Sequence, residues 1–225
     1  IVQAWLDRGA DANSPTDALG WTPLYVACRN GHVDAARLLL DKGAEVDRAT
    51  NGGWTPLSSA CHNGHVDAAR LLLDKGAAVD RADKNGATPL YIACSWGHVD
   101  AARLLLDNSA NVDRAPSKGW AEGWTPLYVA CQNGQVDAAL LLLDNGAEVD
   151  RALEDGRTPL FIACQAGHVD AARLLLEKGA AVDLAKEDGT TPLYIASWNG
   201  HVDTARLLLD NGAEVDRALE DGRTP

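Results

Sequence analysis

The sequence predicts an all-α repeat protein built from stacked antiparallel helix pairs, and two features carry this prediction. The first is a period. The triplet TPL recurs in steps of 33 residues, with one step of 37. It begins at Thr22, Thr55, Thr88, Thr125, Thr158 and Thr191, and Thr224-Pro225 starts another copy. The second is that each period holds two short apolar segments, each of which ends at glycine except for one that ends at Ser109. Periods of this length are typical of proteins whose units pack on their neighbours, because one copy cannot bury its apolar faces alone.

The first full period shows how each element is specified. Thr22 followed by Pro23 is a helix start, because a Thr hydroxyl can cap a free N–H and Pro is tolerated in the first turn. Gly31 predicts the end of this short helix. A second helix is predicted over residues 33–41, with its polar positions on one face. The sequence NGG at 51–53 then predicts a turn before the next copy.

These residues resemble the ankyrin repeat family, whose pattern reads D-x-x-G-x-TPLH-x-A, then GH, then LL-x-x-GA-D-V-N. The quoted matches are Gly53-Trp54-Thr55-Pro56-Leu57, Gly64-His65, Leu72-Leu73 and Gly76-Ala77. The resemblance covers essentially the whole chain. It implies an ankyrin solenoid with protruding β-hairpin loops, whose hairpin tips and inner helices form a concave surface for protein partners.

The chain departs from the family pattern at two positions. The His after TPL is replaced in all six copies, by Tyr25, Ser58, Tyr91, Tyr128, Phe161 and Tyr194. The final Asn of the pattern survives at Asn13, and later copies carry Asp there, as at Asp47. We expect both departures to be compatible with the fold.

We expect a single array over residues 1–225. Its parts are a partial repeat at 1–21, full units at 22–54, 55–87, 88–124, 125–157, 158–190 and 191–223, and the start of another unit at 224–225.

The charge of the chain argues against nucleic acid as a partner. The formal net charge is −12, whereas phosphate binding needs basic density. Residues 22–87 carry eight basic and eight acidic side chains, but residues 125–223 carry eight basic and seventeen acidic ones. This acidic half is either a solubilising surface or a preference for a partner with a basic portion.

The cysteines and histidines do not predict catalysis or a metal site. Five cysteines fall at equivalent positions of successive copies, and Cys28 is followed four residues later by His32. A glycine that ends the helix stands between them, so the two side chains do not share a helical face. We therefore expect reduced, packed thiols, no catalytic residue, no metal and no cofactor. An enzyme with metal at the Cys/His pairs remains the weakest alternative.

Positions that differ between near-identical copies are the candidates for partner binding. They lie just before the capping Thr, at the end of the first helix and in the hairpin. The candidates are Trp21, Trp54, Trp96, Trp120, Trp124, Trp198, Arg29, His62, Gln132 and Arg157. The tryptophans either anchor a partner or pack on neighbouring hairpins. The four extra residues within 115–123 either extend the binding face and lift Trp120 or are a tolerated loop elongation.

The function that we expect is that of a protein–protein interaction scaffold. The alternatives are a targeting or substrate-recruiting domain of a larger multidomain protein, and an engineered consensus array. The irregular insertion and Ser109, which replaces a helix-ending Gly, favour a natural chain. No secretory signal and no apolar run long enough for a membrane helix is visible, so we expect an intracellular, cytoplasmic monomer without membrane insertion.

Overall fold

The computed structural model describes residues 11–119 and 121–216, and this part of the chain forms twelve α-helices in six pairs. The first helices of the pairs are α1 (Pro23–Arg29), α3 (Pro56–His62), α5 (Pro89–Ser95), α7 (Pro126–Gln132), α9 (Pro159–Ala166) and α11 (Pro192–Trp198). The second helices are α2 (Val33–Asp41), α4 (Val66–Asp74), α6 (Val99–Asp107), α8 (Val136–Asp144), α10 (Val169–Glu177) and α12 (Val202–Asp210). The predicted all-α architecture of stacked helix pairs is confirmed.

The chain divides into two compact units. Of the described residues, the N-terminal unit comprises 11–93, 98–119 and 121–122, and the C-terminal unit comprises 94–97 and 123–216. In the N-terminal unit α1 packs on α3, and the second helices α2, α4 and α6 pack in order. In the C-terminal unit the same arrangement joins α7, α9 and α11, and also α8, α10 and α12.

The threonine caps that the sequence predicts are formed at all six first helices. The Thr22 hydroxyl accepts a hydrogen bond from the N–H of Tyr25 at 3.1 Å. The equivalent bond is made by Thr55, Thr88, Thr125, Thr158 and Thr191. Each of these threonines is buried. The cap satisfies a backbone donor that burial would otherwise leave without a partner.

The core of each unit consists of small and branched apolar side chains. Leu24 and Leu57 of the first helices and Leu39 and Leu72 of the second helices are almost completely buried. Alanines such as Ala36 and Ala69 lie between the helices and are fully buried. Small side chains let neighbouring helices approach closely, and burial of the leucines supplies most of the stabilisation.

The connections between pairs are short hairpin turns, and no described residue is in a strand. Four of them span residues 50–54, 83–87, 153–157 and 186–190, and in each the N–H of the first residue donates to the carbonyl of the fifth at 2.9–3.0 Å. A second bond in each turn joins the N–H of the fourth residue to the carbonyl of the first at 2.9–3.0 Å, and these five residues do not form a strand ladder. The β-hairpin loops implied by the resemblance therefore take the form of hairpin turns.

Candidate partner-binding surface

Trp21 lies against the first turn of α1 and is half-buried. Its ring is tilted on the ring of Tyr25, with 5.3 Å between the ring centroids. Arg29, at the end of the same helix, places its guanidinium carbon 4.4 Å from the centre of the Trp21 ring. This cation–π contact covers one part of the indole and leaves Arg29 exposed to solvent.

Trp54 holds the same position in the next copy but has a different neighbour. Ser58 stands where α1 has Tyr25, and its hydroxyl accepts from the Thr55 N–H at 2.8 Å in a reciprocal capping box. Since no aromatic ring fills that place, Trp54 reaches two turns along α3 to His62. Their ring centroids lie 5.3 Å apart and their planes are nearly perpendicular, at 72°.

A groove runs between these two tryptophans on the surface of the N-terminal unit. Its lining residues are Leu19, Trp21, Tyr25, Arg29, Thr50, Asn51, Gly52, Trp54, Ser59, His62 and Asn63. The hairpin turns supply one side of the groove, and α1 and α3 supply the other. It therefore brings together Trp21, Arg29, Trp54 and His62, four of the residues that the sequence offered as candidates.

Backbone contacts between successive hairpin turns fix the spacing of this groove. The Asn51 N–H donates to the Leu19 carbonyl at 2.9 Å, and the Asn51 side-chain amide donates to the Ala18 carbonyl at 2.9 Å. The Lys84 N–H donates to the Gly52 carbonyl at 3.1 Å. Three consecutive turns are thus tied together, so the two indoles are held by backbone as well as by packing.

The electrostatics of the groove favour a neutral His62. Partial burial lowers the pKa of His62, while a hydrogen bond with Asn63 raises it and the charges of His98 and Arg29 lower it further. The net effect lowers the pKa of His62, so the neutral imidazole is favoured more than in an ordinary histidine. Arg29 is then the principal positive charge among the residues that line the groove.

The remaining candidates within the described residues lie in the C-terminal unit. Trp96 directly follows α5 and Trp198 is the last residue of α11, and both are largely exposed, at 58% and 69%. Trp198 stacks on Tyr194 with 6.1 Å between centroids. Trp124 is half-buried and tilted on Tyr128 at 5.1 Å.

The two polar candidates of this unit have structural partners. Gln132 uses its backbone carbonyl to accept from the His168 ring nitrogen at 3.1 Å, and its side chain is half-buried. Arg157 donates from Nε to Asp155 at 2.7 Å within its own hairpin turn. Both contacts lie within the repeat array itself.

Trp120, the last candidate, lies outside the described residues. Residues on both sides of Trp120 are described by the structure. Pro116 and Ala121 are buried. A Cβ added to Gly86 would lie 2.8 Å from the Ser117 nitrogen, so the start of the insertion packs directly on the preceding hairpin turn.

The thiols and histidines take structural positions. All five cysteines are buried, and burial raises the pKa of Cys28 and Cys61 to about 12. His98 lies over Gly64, and its Nε2 is 2.9 Å from the His62 carbonyl oxygen. Within residues 11–119 and 121–216, no three His, Cys, Asp or Glu side chains come together as metal ligands. The predicted separation of Cys and His by the helix-ending Gly is what the structure shows.

Ser59 is one of the lining residues that the sequence did not single out. It is buried in α3 and borders the groove. The equivalent residues of the other copies are Val26, Ile92, Val129, Ile162 and Ile195. The signal was present as a small polar residue at a position otherwise occupied by β-branched side chains, but the position in the sequence does not show that this residue lines a groove.

The repeated helix pairs can be compared with those of known protein families. The sequence model "Ankyrin repeats (3 copies)" matches residues 1–83, 76–152 and 147–218. The chain belongs to the ankyrin repeat family. Members of this family are generally protein-interaction modules, and the matching family is not a catalytic one.

A solved structure, the human ASB11 ankyrin repeat domain, is similar over 91% of this chain and 90% of its own, with a TM-score of 0.82 and 32% identity. This ankyrin chain is also 51% identical over 47 residues to the mouse 2-5A-dependent ribonuclease, covering 21% of this chain and 6% of that protein. Mouse protein phosphatase 1 regulatory subunit 27 is 42% identical over 50 residues, which cover 22% of this chain and 32% of the subunit. The chain thus spans a third or less of these two relatives.

Among the described residues, no helix combines the length and the apolar character that a membrane span requires.

Proposed function

We propose that this ankyrin array binds another protein through its hairpin turns and first helices. The observation that carries the proposal is the groove between Trp21 and Trp54, which combines two half-buried indoles with a cation and several amides. Large aromatic side chains in partly desolvated settings are the usual anchors of protein interfaces. Hairpin turns and first helices are also the elements from which the expected concave surface would be built.

The C-terminal unit supplies a second part of the proposed contact. Trp96 and Trp198 are large apolar side chains exposed to solvent. The sequence from 125 to 223 carries seventeen acidic side chains against eight basic ones. We propose that a basic portion of the partner faces this unit, because opposite charge speeds encounter and favours the correct orientation.

A recruiting domain within a larger protein is the alternative form of the same function. This alternative is supported by the similarity to a ribonuclease, in which the matched segment makes up 6% of the length. In this form the ankyrin array would bring a partner or substrate to an activity located elsewhere in the protein.

Affinity capture followed by a direct binding measurement tests the proposal. The baits are the wild-type array, a double variant Trp21→Ala/Trp54→Ala and a variant Trp198→Ala, each shown to be folded by circular dichroism. A protein retained by the wild type is then purified and its Kd measured against all three by isothermal titration calorimetry. We expect the double variant to weaken binding at least tenfold. Equal affinity for all three arrays would show that these tryptophans pack within the array and do not bind the partner.

A further inference from the structure

The second copy differs from the others at two adjacent positions of its first helix. Ser58 and Ser59 stand where other copies carry an aromatic residue followed by Val or Ile. The Ser58 hydroxyl accepts a hydrogen bond from the Thr55 N–H in the capping box, and Ser59 borders the groove. At both positions a small side chain therefore replaces a bulky one, and Ser59 lines the groove together with Trp54 and Trp21. An apolar side chain of a partner fits such a space, because indole rings on both sides would remove it from water.

The charges around the groove differ from those of the chain as a whole. The chain carries −12, yet Arg29 is exposed at the groove and is in contact with the Trp21 ring. No described carboxylate lies within ion-pair distance of Arg29. Lys84 belongs to the adjoining hairpin turn, where its backbone is bonded to Gly52.

Two acidic residues in the hairpin turns beside the groove accept hydrogen bonds from the backbone of their own turns. Asp17 accepts the N–H groups of Leu19 and Trp21 at 2.9 and 3.0 Å. Asp83 accepts those of Asn85 and Ala87 at 2.8 and 2.9 Å. The groove therefore combines apolar walls with a cation whose planar N–H edges suit a carboxylate.

We propose that the Trp21–Trp54 groove binds a peptide segment of a partner in which an apolar side chain lies next to an Asp or Glu. This inference rests on the proposed protein-binding function and gives the chemistry of the bound segment. The apolar side chain enters between the indoles beside Ser59. The carboxylate accepts hydrogen bonds from the guanidinium of Arg29, whose position above Trp21 limits the freedom lost on binding.

Ser59→Val is the decisive variant, because it fills the groove with a side chain that the fold accepts elsewhere. Val26 and Val129 occupy the equivalent positions of two other copies. Arg29→Gln removes the charge. Trp198→Ala tests the other proposed part of the contact, in the C-terminal unit, and Val215→Ala, at an exposed side chain of that unit that is not a binding candidate, is the control. Circular dichroism melts establish that each variant is folded.

The probe is a phage-displayed library of random dodecapeptides, selected on the immobilised wild-type array. Enriched peptides are synthesised with a fluorescent label, and their Kd values are measured by fluorescence polarisation against each variant. We expect enrichment of an acidic residue beside an apolar one, and weakening of about tenfold by Ser59→Val and by Arg29→Gln. Replacing the acid of the peptide with its amide should weaken binding to the wild type but add little to the effect of Arg29→Gln.

Peptides without an acidic residue, or with equal affinity for wild type and Ser59→Val, would overturn the inference. If such peptides instead lose affinity with Trp198→Ala, the array still binds proteins and only the role of the groove is wrong. If the library yields no peptide and affinity capture yields no partner, both this inference and the proposed function fail.

Discussion

The imidazole of His62 meets the indole of Trp54 edge-on, with 5.3 Å between their ring centroids. Trp21 in the preceding copy packs instead on Tyr25. The difference follows from Ser58, which replaces the aromatic residue that Trp54 would otherwise contact. Trp54 is therefore both part of the packing on α3 and part of the groove.

Trp54→Ala should lower the free energy of unfolding by about 1–2 kcal/mol, because a half-buried indole loses apolar contact on truncation. Trp198→Ala, at a side chain that is 69% exposed, should change it by less than about 0.5 kcal/mol. Equilibrium urea unfolding at neutral pH measures both. A larger effect for Trp198 than for Trp54 would contradict the assignment of packing and exposed roles.

The Asp that replaces the family Asn links one copy to the next. Asp47 accepts the Ala78 N–H at 3.1 Å, and Asn13 in the earlier copy accepts the Glu45 N–H at 2.8 Å. Asn13 also donates from its amide to the Gly43 carbonyl at 3.0 Å. Carboxylate and amide therefore perform the same task through the acceptor oxygen, and the amide adds one donated bond.

Asp47→Ala should destabilise the array by about 1 kcal/mol, since it leaves the Ala78 N–H without its acceptor. Asp47→Asn should be within about 0.5 kcal/mol of the wild type, because an oxygen acceptor is kept. Urea unfolding of the three proteins side by side gives the comparison. Equal loss in both variants would mean that the negative charge, not the acceptor, stabilises this junction.

Much of the fold could be predicted because local chemistry repeats. Each threonine cap and each helix-ending glycine is specified within a few residues, as Thr22 and Gly31 show, and the structure confirms both. The period then indicates that copies stack, because each has apolar faces that it cannot cover alone.

The candidate site was only partly predictable because it depends on contacts between copies. The sequence identified Trp21 and Trp54 as variable positions, but the place of Ser59 in the groove wall depends on how α3 packs against the neighbouring helix and hairpin turns. It also could not show that Arg157 is held by Asp155 within its own hairpin turn. The first outcome depends on packing between copies, and the second on the side-chain conformation that Arg157 adopts within its own turn.

Ser109 has a backbone conformation that disfavours its side chain. Its φ of +67° is the one positive value at a non-glycine residue within the described part of the chain. Equivalent positions such as Gly43 and Gly76 are glycines with φ of +86° and +84°. Ser109→Gly should therefore raise the free energy of unfolding by about 1 kcal/mol, because glycine has no Cβ to clash in this region. Thermal and urea unfolding should both shift upwards, and a loss of stability would show that the Ser109 side chain makes a compensating contact.

The five buried thiols should be unreactive in the folded protein. Burial raises the pKa of Cys28 and Cys61 to about 12, far above neutrality, so the reactive thiolate is scarce and shielded. A disulfide reagent such as Ellman's reagent at pH 8 should release little colour until urea is added, and should then titrate five thiols. Rapid labelling of any thiol without denaturant would indicate local opening of that first helix.

Gly31 and Gly43 provide a matched test of how the copies pack. Both have positive φ, at +70° and +86°, but a Cβ on Gly31 would lie 2.8 Å from the His65 ring, whereas Gly43 has no atom within 4 Å. Gly43→Ala should cost about 1 kcal/mol from backbone strain alone. Gly31→Ala should cost about 2–3 kcal/mol, because the imidazole of the next copy must also move. In a His65→Ala background the cost of Gly31→Ala should fall to that of Gly43→Ala. If it does not fall, the contact between the histidine and the preceding glycine is not what determines the close approach of these two copies.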